Sequence, residues 1–181
     1  MTPVAVATFL ALLGAVAVVA DLILLAGAVL MGRASRAALR DLVSPYALTL
    51  AALVAAVAMT GSLYFSEVAH LEPCVLCWYQ RIAMYPLVLL LAMAAFRRDV
   101  IVRPYVLALA GAGALVSAYH IAVQRLPGIP STSCSITAPC SAIQVEVLGF
   151  VTIPVLALMA FGTILVLVGL LDAGPHQEPL A

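Results

Sequence analysis

The four cysteines of this chain form two pairs, and the first pair has the spacing of a redox centre. Cys74 and Cys77 are separated by two residues at the head of a long apolar segment. If that segment begins a helix, the helix dipole stabilises thiolates there, and the thiolate is the reactive form of cysteine. The spacing predicts a redox-active dithiol. A pair of inert buried cysteines and half of a zinc site are the alternatives.

Arg81 follows Cys77 by four residues, so on a helix it lies one turn further along the same face. An ionisable side chain within a membrane helix is costly and usually functional. We expect this guanidinium to hold Cys77 as a thiolate and to polarise a quinone carbonyl. The alternative is a side chain that extends to the membrane interface.

The second pair, Cys134 and Cys140, encloses five residues in a polar segment of Ser, Thr and Pro. This environment suits attack by the thiolate of a soluble protein, and a permanent structural bridge is the alternative. Because the chain also carries the first pair, the favoured interpretation is that Cys134 and Cys140 transfer electrons. No metal site is predicted.

Two further polar residues lie in apolar segments. His120 is expected at the same depth as Arg81, where it either donates a hydrogen bond to a quinone oxygen or simply bonds at the interface. Asp21 is central in the first apolar segment. It is interpreted as a satisfied interior residue, with a proton-relay group as the alternative.

The composition indicates an integral membrane protein. Of 181 residues, 66% are hydrophobic and 9% are charged, whereas a soluble domain has about 25% charged residues. Lysine is absent and eight arginines balance eight acidic residues, so no basic surface predicts binding of nucleic acid.

The apolar segments predict an all-α integral membrane protein with five spans: a four-helix transmembrane bundle and an additional N-terminal transmembrane helix. Each segment is long enough to cross the bilayer, and only helices satisfy the backbone there. Residues 1–181 are predicted to form one membrane domain, with the first helix retained. A signal peptide cleaved after the small residues at 18–20 is the alternative. The spans are about 3–31, 45–66, 75–96, 104–123 and 150–171, with extracytoplasmic loops at about 67–74 and 124–149.

The arginines predict the orientation. Six of the eight fall between the first and second spans (Arg33, Arg36, Arg40) or between the third and fourth (Arg97, Arg98, Arg103). The positive-inside rule makes that side cytoplasmic. Both cysteine pairs then face the oxidising side, where disulfides persist. Within the second cysteine loop, Ala142 to Leu148 alternates weakly and is expected to form a short interfacial helix.

At these residues the chain resembles the disulfide bond formation protein B family, quinone-linked membrane oxidases of secreted thiol oxidases. The resemblance covers about Pro45 to Leu171. It depends on PCVLCWYQRIAMYPL (73–87), YHIAVQ (119–124), PCS (139–141) and LGFVTIP (148–154). The last two strings are similar to the short-loop branch, the C-type thiol–disulfide oxidoreductases.

The resemblance implies a four-helix bundle in a bacterial cell membrane, with a bound quinone (ubiquinone or menaquinone) beside the first dithiol. Cys74 and Cys77 become the quinone-reducing pair, with Cys77 nearest the ring and Arg81 as the quinone-site arginine. His120 matches a family histidine by position alone. Cys134 and Cys140 become the pair that meets a secreted or membrane-anchored thioredoxin-fold thiol oxidase.

The chain departs from the best-known members of the family, which separate their second cysteines by a far longer loop, and its extra first helix is also atypical. Two other functions remain as alternatives. A vitamin K epoxide reductase-like protein is disfavoured because CVLC precedes the loop cysteines here. A non-enzymatic four-thiolate metal-binding membrane protein is disfavoured because the helices carry few other ligands.

Overall fold

The computed structural model describes residues 2–30, 33–126, 134 and 138–171. Within them the chain forms the α-helices α1 (Pro3–Leu30), α2 (Arg33–Leu63), α3 (Val75–Arg97), α4 (Arg103–Arg125) and α5 (Ile153–Gly169). A π-helical turn, Tyr64–Val68, continues α2. The strands β1 (Glu146–Val147) and β2 (Val151–Thr152) pair antiparallel between α4 and α5.

Four described helices are long and apolar enough to cross a membrane: Pro3–Leu30, Ala37–Val68, Val75–Arg97 and Arg103–Arg125. The fifth apolar helix, α5, has 17 residues. The predicted fold class, an all-α membrane bundle with an added N-terminal helix, is confirmed. The limits of the spans in the bilayer and the single-domain assignment stay predictions, and Met31 and the tail beyond Leu171 lie outside the described residues.

Helix α2 begins at Arg33, before the predicted start of the second span, so the first arginine group is carried by a helix. One local prediction is wrong. Residues 142–148 contain no helix, because the chain turns back through left-handed conformations at Leu148 (φ 56°) and Gly149 (φ 75°). This turn pairs β1 with β2, and the backbone hydrogen bonds of the strands replace those of a helix.

The core of the bundle is packed through small residues, which let helix backbones approach closely in lipid. On α2, Ala47, Ala51 and Ala55 are fully buried in one cluster with Leu87 and Leu91 of α3. This packing holds α3 against α2, and the first cysteine pair lies at the beginning of α3.

The contact between α4 and α5 depends on a glycine. Gly113 is buried on α4, and a Cβ atom there would lie 2.2 Å from Cζ of Phe161, a fully buried ring on α5. Two residues earlier, a Cβ atom at Gly111 would meet nothing within 4 Å. Substitution by alanine at Gly113 therefore tests both steric crowding and helix propensity, whereas the same substitution at Gly111 tests helix propensity alone.

We expect Gly113→Ala to lower the free energy of unfolding by about 1–3 kcal/mol, because the added methyl group displaces the Phe161 ring. The matched variant Gly111→Ala should leave stability unchanged or raise it by up to about 1 kcal/mol, since alanine favours helix. Thermal unfolding in detergent measures both. Equal melting temperatures would contradict the described α4–α5 packing.

Candidate redox site

The first cysteine pair forms the beginning of α3. Cys74 is the N-cap residue, and its Sγ accepts a hydrogen bond from the backbone N–H of Cys77 at 3.4 Å. The two Sγ atoms lie 3.1 Å apart as free thiols, within hydrogen-bonding distance for sulfur. The cap geometry thus aims both sulfur atoms toward the positive end of the helix dipole.

The second pair lies against the first. Cys134 and Cys140 form a disulfide. Cys140 is fully buried in a cluster with Cys74 and Val123, whereas Cys134 is half-buried. The structure therefore brings both predicted pairs to one end of the bundle, in a form with the loop pair bonded and the helix pair free.

His120 on α4 connects the two pairs. Its Nε2 lies 3.1 Å from the carbonyl oxygen of Cys140 and 3.7 Å from Sγ of Cys74. A carbonyl only accepts, so Nε2 carries the proton in this contact. The imidazole is 2% exposed, and its Nδ1 has no hydrogen-bond partner among the described residues. The expected donation to a quinone stays a prediction.

The surroundings of Cys74 lower its pKa to about 4. The main cause is the hydrogen bond from the Cys77 thiol, with smaller contributions from His120 and from the Cys77 backbone N–H, while burial opposes the shift. The Cys74 thiol therefore loses its proton at a lower pH than an ordinary cysteine does, because hydrogen bonds to a thiolate favour the charged form.

Arg81 lies one turn beyond Cys77, as the spacing predicts. Its Nε donates to Oγ of Ser62 at 2.9 Å and its Nη2 donates to the Ser62 carbonyl oxygen at 3.0 Å. The guanidinium carbon lies 5.3 Å from the centre of the Trp78 ring. These contacts with the end of α2 fix the cation while leaving it in the wall of a cavity.

That cavity has a volume of about 330 Å³ and is mostly apolar. Cys77 and Arg81 lie in its wall together with Gln80 and Tyr85 of α3 and residues of α1, α2 and α5. A second space of about 20 Å³ is lined by Cys74, Cys77 and His120. Cys77 therefore faces both spaces, and His120 lines the smaller one.

Three polar residues of this region were not identified from the sequence. Ser62 holds Arg81, and Gln80 donates to Ser117 at 3.1 Å inside the bundle. The Tyr85 hydroxyl is buried and has no hydrogen-bond partner among the described residues. Gln80 and Tyr85 carried a usable signal, because they lie three and eight residues after Cys77 and so share its helix face. Ser62 carried none.

Three side chains of this site could together bind a metal ion. Among the described residues, ligand atoms of Cys74, Cys77 and His120 lie within 4.8 Å of one another. A closed structural zinc site needs a fourth ligand, and Cys134 and Cys140 are bonded to each other. The arrangement of four cysteines suits exchange between two disulfides better than a four-thiolate site.

A helical membrane bundle with two adjoining cysteine pairs defines the class of membrane thiol–disulfide oxidoreductases. The family model described as Disulfide bond formation protein DsbB matches residues 44–171, more than two thirds of the chain. The chain therefore belongs to this family. No solved structure gives a significant match.

Curated relatives agree with this family. The chain is 49% identical over 120 residues to Disulfide bond formation protein C of Bacillus subtilis, covering 66% of this chain and 87% of that protein. It is 44% identical over 128 residues to Probable disulfide formation protein C 1 of Bacillus cereus, covering 70% and 92%. It is also 46% identical over 121 residues to Probable disulfide formation protein of Coxiella burnetii, covering 66% and 82%.

A pH titration tests the described surroundings of Cys74. In the reduced protein, the Cys74 thiolate should persist as pH falls from 8 and should protonate only near its pKa of about 4. A free cysteine protonates near about 8.5. Ultraviolet thiolate absorbance, compared with that of Cys74→Ser, measures the midpoint.

His120→Ala should move this midpoint to higher pH, because it removes one group that favours the thiolate. The control is His70→Ala, since His70 is exposed. A parent midpoint near pH 8, or equal midpoints for His120→Ala and the parent, would contradict the described environment.

Proposed function

We propose that this chain reoxidises a thioredoxin-fold thiol oxidase outside the cytoplasm and passes the electrons to a membrane quinone. One observation carries the proposal: the two cysteine pairs meet at His120, and Cys77 also faces an apolar cavity beside Arg81. Electrons can thus pass from an accessible loop disulfide to a membrane-embedded site over short distances. The product is a disulfide in the partner, which supports disulfide formation in exported proteins.

The proposed location is the bacterial cytoplasmic membrane, with the cysteine end outside. Arg103 supports this orientation because it donates to the carbonyl oxygens of Val168 and Gly169, at the end of the bundle opposite the cysteines. Arg97 and Arg98 lie at the same end as Arg103. The positive-inside rule places such an end in the cytoplasm, and the named relatives are bacterial proteins.

The cavity beside Cys77 fits a quinone headgroup. Its volume falls in the range of small-molecule sites, and such sites are mostly apolar with a few oriented polar groups. Arg81 offers N–H donors, and the Tyr85 hydroxyl is a buried donor without a partner among the described residues. Arg81 and Tyr85 lie one helix turn apart in the cavity wall and are the residues that would donate hydrogen bonds to a bound headgroup. A bound quinone would supply an acceptor for two electrons and two protons.

The partner is expected to attack Cys134. Thiol–disulfide exchange needs an accessible sulfur, and Cys134 is half-buried whereas Cys140 is fully buried. The partner thiolate would form a mixed disulfide with Cys134 and release Cys140 as a thiolate. The second partner thiolate then attacks the mixed disulfide, so the partner leaves oxidised and the loop pair is left as two thiols.

The loop thiols then reduce the helix pair. Cys140 shares a buried cluster with Cys74, so the Cys140 thiolate attacks Cys74 and the Cys74–Cys77 disulfide opens with Cys77 as the leaving group. Cys134 resolves the Cys140–Cys74 bond. The result is a bonded loop pair and a free helix pair, the arrangement of the described structure.

The helix pair finally re-forms its own disulfide. Cys77 lies in the wall of the cavity and Cys74 in the smaller space, so Cys77 is the sulfur that reaches the acceptor. Cys74 then closes the disulfide with Cys77, and two electrons with two protons leave the pair. Arg81, in the wall of the cavity, would stabilise negative charge on a bound acceptor.

A turnover assay tests the proposed function. The purified protein is mixed with a reduced thioredoxin-fold oxidase and a quinone, and the quinone absorbance is followed. We expect quinol formation by the parent, and a fall to the rate without protein in Cys77→Ser, because serine cannot close the disulfide. Quinone reduction by Cys77→Ser at the parent rate would overturn the proposal.

Metal analysis of the same preparation is the control for the alternative function. Zinc bound in a 1:1 ratio to the protein as purified, together with absent quinone turnover, would favour a metal-binding protein. Restoration of turnover after chelation would instead show that the metal had merely blocked the cysteine pair.

A trapping experiment tests which loop sulfur meets the partner. The partner variant retains one cysteine, activated as a disulfide with an aromatic thiol. Cys140→Ser, which leaves Cys134 free, should displace that thiol and form the mixed disulfide at least about tenfold faster than Cys134→Ser. Non-reducing electrophoresis measures the adduct. Faster trapping by Cys134→Ser would contradict the proposed entry point.

A further inference from the structure

The N-terminal helix α1 lies outside the residues matched by the family model, yet it borders the cavity beside Cys77. Leu10, Leu13, Gly14 and Ala17 of α1 are among the cavity-lining residues. We propose that α1 is a wall of the quinone site and that Asp21 is the residue that positions it. This inference rests on the proposed function, because it names the element that determines which quinone the site accepts.

Close contacts hold α1 against two other helices. A Cβ atom at Gly14 of α1 would lie 2.8 Å from Sδ of Met159 on α5. A Cβ atom at Gly61 of α2 would lie 2.8 Å from Cδ1 of Leu10 on α1. Glycine at each contact allows the close approach that packing in lipid requires. Helix α1 therefore packs closely against both α2 and α5.

A hydrogen bond inside the membrane region holds the next turn of α1. The hydroxyl of Thr163 on α5 donates to Oδ2 of Asp21 at 2.6 Å, and the carboxyl group is buried. Asp21 follows Ala17 by four residues and so lies on the same face of α1. Since Thr163 also lines the cavity, this bond joins α1 to a residue of the cavity wall, one turn beyond Ala17.

The beginning of α1 packs against the π-helical turn after α2 and against the strands β1 and β2. Ala7 and Ala11 are almost fully buried in a cluster with Phe65, Val147 and Val151. Helix α1 thus contacts the β1–β2 turn at one end of the cavity and α5 at the other. Held near its beginning and again at Asp21, α1 separates this side of the cavity from lipid, and its side chains limit the space that a ring or its substituents can fill.

A pair of matched substitutions tests the inference. Ala17→Phe places a ring in the cavity, whereas Ala15→Phe places the same ring on the exposed side of α1. We expect Ala17→Phe to raise the KM for quinone at least about fivefold, since crowding a packed site is costly. Ala15→Phe should keep the parent value. The KM for the reduced partner protein should be unchanged in both variants.

A second pair tests Asp21. Asp21→Leu removes the acceptor for Thr163 and should raise the quinone KM about three- to 15-fold, the range that hydrogen bonds between membrane helices support. Asp21→Asn keeps an acceptor oxygen and should restore a value near that of the parent. A loss of stability alone would instead lower the amount of folded protein and leave the KM of the remainder unchanged.

Photolabelling tests directly whether α1 contacts the bound quinone. A photoreactive quinone analogue should attach to a peptide that contains residues 10–17, and an excess of unmodified quinone should prevent this. Equal quinone KM values for Ala17→Phe, Ala15→Phe and the parent, or labelling confined to α2, α3 and α5, would overturn the inference. Absence of quinone reduction by the parent would overturn the proposed function itself.

Discussion

The imidazole of His120 contacts both cysteine pairs, and the arrangement of the redox end depends on this contact. Its Nε2 reaches the carbonyl oxygen of Cys140 and approaches the sulfur of Cys74. Burial of an imidazole without partners would be costly, so the bond to Cys140 favours a loop that stays against α4. The Cys134–Cys140 disulfide thereby lies next to the helix dithiol.

Neighbouring polar contacts support the same end of the bundle. Gln124 of α4 donates to the carbonyl oxygen of Ala142 and accepts from the hydroxyl of Thr152. Arg125, in the next position, pairs with Glu146 at 2.6 Å. The last turn of α4 therefore holds both the segment after Cys140 and the start of α5. In this way α4 determines the position of residues 142–152.

The cavity and the dithiol meet because α3 carries both on one face. Cys77, Arg81 and Tyr85 are spaced by four residues, so successive turns present a sulfur, a cation and a hydroxyl. Ser62 of α2 binds the cation from the other side. A charge in this position is tolerated because hydrogen bonds and the Trp78 ring surround it.

The amino-acid sequence by itself determined the class of fold, because long apolar segments in lipid must be helices. It also predicted that Cys77 and Arg81 share one face of a helix that begins after Cys74, since local spacing defines which residues share a helix face. Local patterns failed at residues 142–148, where weak alternation predicted a helix. There, strand pairing and two left-handed residues decided the conformation.

Only the tertiary structure brought together residues that are distant in the chain. The meeting of His120 with Cys140, of Ser62 with Arg81 and of Asp21 with Thr163 depends on how the helices pack. No local spacing encodes such contacts, because each joins side chains of different elements. Helix formation is a local property of the chain in lipid, whereas the shape of a cavity is a property of the assembled bundle.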